Sequence, residues 1–250
     1  VNDLIAGTII ICIGPIGSGK TSIMNHICSL NPNFIPIDGD DLGIGMSRTM
    51  KLGKERNEFS RAVIIDTLMR GKVPVFSTGG GVLFSGPVPV IKSQIYQTLG
   101  ISVKMIVVVP LLKNADGFVQ LDNQYDPSPI YADVNSVKKT VERRVAQGEW
   151  KVDPKFKTKK MSDAEALKAF AGTIATKSKD NCSFAKSLIE IADVVYGFPA
   201  ISSDNYGIEK TLDYSKLIKC IIFPKTELSG KFKQVLVNIN NRCNILLKHE

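Results

Sequence analysis

Eight residues, Gly14-Pro-Ile-Gly-Ser-Gly-Lys20-Thr21, constrain this 250-residue chain more than any other feature in it. They fit G-x-x-x-x-G-K-[ST], a pattern whose chemistry is the binding of nucleotide phosphates. Before them, Thr8–Ile13 is an unbroken β-branched and apolar run, suited to a strand buried on both faces. After them, Ile23, Met24, Ile27 and Leu30 recur at helical spacing. Strand, glycine-rich turn and helix are the context that gives the pattern its meaning. The loop of Gly14, Pro15, Ile16, Gly17, Ser18 and Gly19 can curl its backbone N–H groups around a phosphate, and the helix N-terminus adds partial positive charge. Lys20 can reach β- and γ-oxygens, and the Thr21 hydroxyl can hold Mg²⁺. The expected ligand is ATP or GTP with Mg²⁺. A dinucleotide fingerprint G-x-G-x-x-G is excluded, because the glycines fall at 14, 17 and 19.

Strand-like and helix-like segments alternate beyond the loop. Phe34–Ile37 reads as a second strand ending at Asp38. Glu55–Arg70 reads as a helix, with Phe59, Ala62, Val63, Ile65, Leu68 and Met69 roughly on one side and Gly71 as its stop. Val73–Ser77 and Val103–Val109 are further strands, the latter halted by Pro110. Ser136–Gln147, Asp163–Thr176 and Asn181–Ala192 read as helices, and Val194–Tyr196 as a fifth strand. Such alternation predicts an α/β fold: a parallel sheet of about five strands with helices on both faces. After Ile201 the pattern weakens. Leu217–Phe223, Phe232–Ile239 and Arg242–Leu247 read as antiparallel strands, with Asn240-Asn241 as a hairpin turn. The expected organisation is one domain over 1–200 and a small β-rich C-terminal extension over 201–250, a linker or the start of a following domain.

Three groups of residues are candidates for the rest of the chemistry. Asp38-Gly-Asp40-Asp41 closes the second strand, where strand ends of a parallel sheet meet over one crevice. A carboxylate there can take a proton from an acceptor hydroxyl. Arg143 and Arg144, on the predicted helix after the fourth strand, can stabilise charge on the transferred phosphate, and Arg56 and Arg61 can grip an acceptor. Thr78 with Gly79, Gly80 and Gly81 ends the third strand at the same edge, where glycines admit an acceptor close to the backbone.

Charge bears on the acceptor. From Lys138 to Lys160, nine basic residues stand against three acids, a net +6 of the chain's +8. A local positive field of that kind favours phosphate-rich partners, nucleic acid among them. The basic residues fall in a predicted lid or insertion over about 136–180. Five cysteines, spread without any C-x-x-C, and two histidines argue against a disulfide framework or a structural zinc site. Reduced thiols, no apolar run of membrane length and no basic-then-apolar leader at Val1–Gly7 predict a cytoplasmic or nuclear protein without a membrane partner. A chain beginning without Met is expected of a module from a longer protein.

From Gly14 to Asp41 the sequence resembles the polynucleotide 5′-kinase family, which includes the phage enzyme and the kinase modules of fungal-type tRNA ligases. The resemblance lies in the loop, then Asn31-Pro-x-Phe34, Ile37 and Asp40-Asp41, with Glu55-Arg-x-Glu58-Phe59 also similar and a looser match to about residue 150. It implies a P-loop kinase fold, RNA or DNA as acceptor through its 5′-hydroxyl, Asp40 as general base, and Lys20 and Thr21 as the phosphate and metal residues. Val141-Glu-Arg-Arg followed by Gly148 resembles the family's lid. Gly43 and Gln147 stand where the family has arginines. Thr78-Gly-Gly-Gly81 instead resembles shikimate kinases and their relatives, which makes a small-molecule kinase the alternative, with Gly79–Gly81 and Arg56 or Arg61 on the acceptor. A nucleotide-binding switch or an inactive nucleic-acid-binding module is a second alternative. Asp40-Asp-Leu-Gly43 fits D-x-x-G, but no N/T-K-x-D follows. Neither His26 nor His249 lies in an H-x-T motif, so no phosphodiesterase activity is expected.

Overall fold

The computed structural model describes residues 7–39, 53–79, 90–111, 113–114, 117–118, 126–158, 160–199 and 222–224. Asp40, Asp41, Gly80, Gly81, Lys159 and the two hairpin strands expected after Phe223 lie outside them. Among the described residues no helix is long and apolar enough to cross a membrane.

The main strands are β1 (Thr8–Ile13), β2 (Phe34–Asp38), β3 (Val73–Thr78), β4 (Lys104–Leu111), β7 (Val194–Pro199) and β8 (Ile222–Pro224). They form one sheet in the order β2-β3-β1-β4-β7-β8. The first five are parallel, and β8 closes the edge antiparallel to β7. This is the predicted α/β fold, with a sixth strand added from the C-terminal extension. A two-stranded ribbon, β5 (Lys113–Asn114) with β6 (Gly117–Phe118), follows β4.

The sheet is apolar on both faces because each strand alternates between two cores. On one face Ile10, Cys12, Val75, Ile106, Val108 and Val194 pack with Ile23 and Met24 of α1 (Lys20–Ser29). On the other, Ile9, Ile11, Ile13, Phe76, Val107 and Val109 meet Ile64 and Leu68 of α2 (Gly53–Met69), Ile95 of α3 (Val90–Leu99) and Leu188 of α7 (Cys182–Ile191). Each fully buried branched aliphatic side chain contributes roughly 1.5–3 kcal/mol, so this double burial is what commits β1 to the centre. Burial pushes the Cys28 thiol up to about 11 and raises that of Cys12 further, so both behave as apolar packing groups.

The expected apolar side of α2 is corrected at Ala62 and Met69. Both are exposed, Met69 to 70%, and the buried stripe runs instead through Ile64 and Leu68. These two residues are four apart, the separation that stacks side chains on one helical face; Met69 is turned a further 100° away. Helix α3 had no counterpart in the elements expected from sequence, although Ile91, Ile95 and Leu99 stand four apart.

Helix α4 (Ser128–Ala132) precedes the basic segment, α5 (Val134–Ala146) carries its first four basic residues, and α6 (Asp163–Asp180) follows it. Asp133 caps α5 by accepting from Ser136 N, and Ser162 with Glu165 forms a capping box on α6. Between them Pro154–Phe156 makes a single 3₁₀ turn. Helices α5 and α6 build a third core from Val137, Val141, Phe170, Ala171 and Ala175.

Candidate phosphate and metal site

The loop between β1 and α1 has the backbone its sequence demands. Gly17 and Gly19 lie at φ 85° and 88°, in the left-handed region where a side chain is disfavoured. Ser18 N donates to Pro15 O at 3.2 Å, closing the turn. Gly19 caps α1 without any side-chain hydrogen bond, and the first turn of α1 carries no acidic residue. No capping side chain and no first-turn carboxylate thus stands between this helix start and an anion. Lys20 is buried to 7% exposure at this helix start.

Parallel register brings the rest of the site to α1. Asp38, Ser77, Cys12, Val108 and Tyr196 form one row across five strands. Its apolar members line the α1 face, and its two polar members stand at the β2–β3 end. There Thr21 Oγ1 donates to Asp38 Oδ2 at 2.8 Å, and Ser77 Oγ lies 3.3 Å from the same threonine oxygen. Gly39 follows at once, and a Cβ on it would come within 2.9 Å of Ser77 O. Only glycine lets β2 end this close to β3.

A hydroxyl and a carboxylate are hard oxygen donors. Mg²⁺ is bound by one or two such groups together with waters and substrate phosphates, and Thr21 with Asp38 fits that requirement. Among the described residues no group of three or more His, Cys, Asp or Glu is arranged to hold a metal ion. A hydroxyl and a single carboxylate suit a cation that arrives with nucleotide phosphates.

The other expected site residues divide clearly. Asp38, expected on the acceptor side, has its carboxylate on Thr21. Gly79 stands beside the loop, since a Cβ there would lie 4.0 Å from Gly14 O and 3.7 Å from Asn181 Nδ2. Arg61 is half-buried on α2, and Arg56 falls in the first turns of the same helix. The lid arginines differ from each other. Arg144 Cζ lies 5.1 Å from the centroid of the Trp150 ring, and its Nε is 3.8 Å from Glu149 Oε2. Arg143 is exposed.

One residue of the site was not expected from sequence, Ser77; its signal was a polar residue in an otherwise apolar buried strand. Ile16 was expected in the loop, but its packing was not. This loop residue packs against the α5–α6 core of Val137, Val141 and Phe170, so the phosphate loop and the basic helical unit share one apolar cluster. An aliphatic residue inside a loop that needs only backbone N–H groups was the available signal.

Sequence comparison matches no family model and no curated protein. Solved structures sharing a likeness include a gluconokinase from Sinorhizobium meliloti 1021, at 16% identity, with 72% of this chain and 98% of that one covered and a TM-score of 0.30. A second comes from the PezAT chromosomal toxin–antitoxin system of Streptococcus pneumoniae, at 14% identity, with 96% and 87% covered and a TM-score of 0.37. Superpositions this loose say nothing about what this chain acts on.

Proposed function

We propose that the protein is a nucleoside-triphosphate-dependent phosphotransferase that phosphorylates the 5′-hydroxyl end of RNA or DNA. The observation that carries the phosphotransferase reading is the hydrogen bond from Thr21 to Asp38 at 2.8 Å. It joins the phosphate loop, a hydroxyl suited to Mg²⁺ and a strand-end carboxylate in one place. The polynucleotide acceptor is supported by the basic segment, which lies on and between two helices that pack on the loop through Ile16.

In this reading Lys20 and the loop N–H groups hold the β- and γ-phosphates of ATP or GTP. Mg²⁺, when bound, neutralises charge on those phosphates, with Thr21 and Asp38 as its protein side. Asp40 accepts the proton of the 5′-hydroxyl while that oxygen attacks the γ-phosphorus, and the nucleoside diphosphate leaves in line. Arg143, exposed on α5, is the arginine assigned to developing charge on the transferred group, and Arg144 lies over Trp150.

A second reading, a small-molecule kinase, is favoured by one observation: Gly79 stands beside Gly14, so the glycine strand end borders the loop. The test is transfer of γ-label from ATP or GTP, with Mg²⁺, to a 5′-hydroxyl RNA, a DNA oligonucleotide and a small polyhydroxy acid such as shikimate or gluconate. Labelled oligonucleotide is the expected result. Lys20→Ala should remove the signal, and Asp40→Ala should lower turnover on the order of 10²–10⁴-fold while nucleotide still binds. Label on the acid alone would replace the first reading with the second.

A further inference from the structure

The site contains a buried hydroxyl that neither the loop pattern nor the family resemblance assigns. We propose that Ser77 is a positioning residue that fixes the Thr21 hydroxyl in the orientation a nucleotide-bound cation requires. The proposal rests on the nucleotide-and-Mg²⁺ reading above and deepens it.

Ser77 has no exposed surface. It sits in β3 between Asp38 of β2 and Cys12 of β1, its register partners on either side. A hydroxyl placed there costs stability unless it is hydrogen-bonded, and its Oγ lies 3.3 Å from Thr21 Oγ1.

Counting protons decides the direction of that bond. A threonine hydroxyl has one proton and two lone pairs. Thr21 directs its proton to Asp38 Oδ2 at 2.8 Å. Ser77 must then be the donor in the second interaction, occupying one lone pair of Thr21. One lone pair is left over. Asp38 and Ser77 together therefore set the rotation of the Thr21 hydroxyl and decide which way its remaining lone pair points. With alanine at 77 the strand ladder survives, but the hydroxyl is held by Asp38 alone and its lone pairs lose their fixed direction.

This separates Ser77 from a residue that merely satisfies its own burial. Its effect should fall on metal-dependent nucleotide binding and spare metal-free binding. The measurement is calorimetric titration of the 250-residue chain with the β,γ-imido analogues of ATP and GTP, in Mg²⁺ and in EDTA. The wild-type protein should bind more tightly with Mg²⁺. Ser77→Ala should lose about threefold to tenfold of that enhancement, the scale of one net hydrogen bond, with affinity in EDTA within about twofold of wild type. Equal enhancement in both proteins would overturn the proposal. So would an equal loss with and without Mg²⁺, which would make Ser77 a support of the loop only. If Ser77→Ala does not fold, Ser77→Cys, close in volume and a weak donor, is measured with the same outcomes. A wild-type chain that binds neither analogue under either condition would remove the parent reading as well, a result distinct from both.

Discussion

At the scale of single residues, glycine is used at this site in two different ways. Gly14 has φ +156°, and a Cβ on it would overlap Ser18 Oγ and stand 3.2 Å from Pro110 Cγ. Gly79 has no positive φ, and a Cβ there makes only the ordinary 3.7 Å approach to Asn181 Nδ2. Gly14→Ala should therefore cost about 1–3 kcal/mol, the range for overpacking a closed site, and loosen nucleotide binding. Gly79→Ala should stay within about 0.5 kcal/mol of wild type. Denaturant melts of the two variants check this, and equal losses would refute the contrast. Because Gly79→Ala is expected to fold normally, its activity then reports on the acceptor. Lost transfer at unchanged stability would mean that substrate approaches Gly79 closely.

Among the elements, the α5–α6 unit shows where local reasoning reaches and where it stops. Helix positions were legible where caps and periodicity act within a few residues: Ser162 begins α6 where the sequence places it, and Val137 with Val141 repeats at helical spacing. Helix α5, expected from Ser136, begins instead at Val134 behind the Asp133 cap. The end of α6 was expected four residues short, at Thr176, and lies at Asp180. Ser178 is in fact buried, and Lys177 and Lys179 suit the negative end of the helix dipole. The separate settings of Arg143 and Arg144 depend on where Trp150 returns after the Gly148 turn, an approach that no helical period encodes. This yields a paired test. Arg144→Ala removes a cation–π interaction worth about 0.5–1 kcal/mol at an exposed site and should raise hydrogen exchange across residues 134–150. Arg143→Ala, read in the same experiment, should lower phosphoryl transfer. A loss of protection in Arg143→Ala equal to that in Arg144→Ala would show that both arginines are structural.

For the molecule as a whole, the sheet order was not readable from the sequence. The alternation of strands and helices states that the strands are parallel, but not which lie side by side. The row from Asp38 through Ser77 and Cys12 to Tyr196 exists only once β3 is inserted between β2 and β1. The loop pattern could therefore name Thr21, while its partners Asp38 and Ser77, 17 and 56 residues away, needed the fold. Charge behaves oppositely: its concentration was plain from the sequence, and the structure shows how it is held. Lys155 Nζ lies 2.7 Å from Asp153, and Lys157 Nζ lies 2.7 Å from Asp163, all on exposed side chains.

Exposed ion pairs of this kind add little to stability, so an incoming phosphate can displace the carboxylates readily. Hydrogen bonds from Lys155 hold Asp153 ionised by lowering its pKa. Asp153 thus remains a competitor of phosphate at neutral pH. Asp153→Asn should accordingly tighten binding of a 5′-hydroxyl oligonucleotide at low salt, and Lys155→Glu with Lys157→Glu should weaken it. Each lysine–phosphate pair removed should also reduce the slope of log affinity against log salt by about 0.7 for a single strand. Binding titrations at several salt concentrations read both quantities. If neither variant changes the affinity or the slope, this face is solvated surface, and the acceptor must be sought at the glycine-rich end of β3. If the slope falls and the affinity falls with it, the basic segment holds the oligonucleotide, as the proposed polynucleotide acceptor requires.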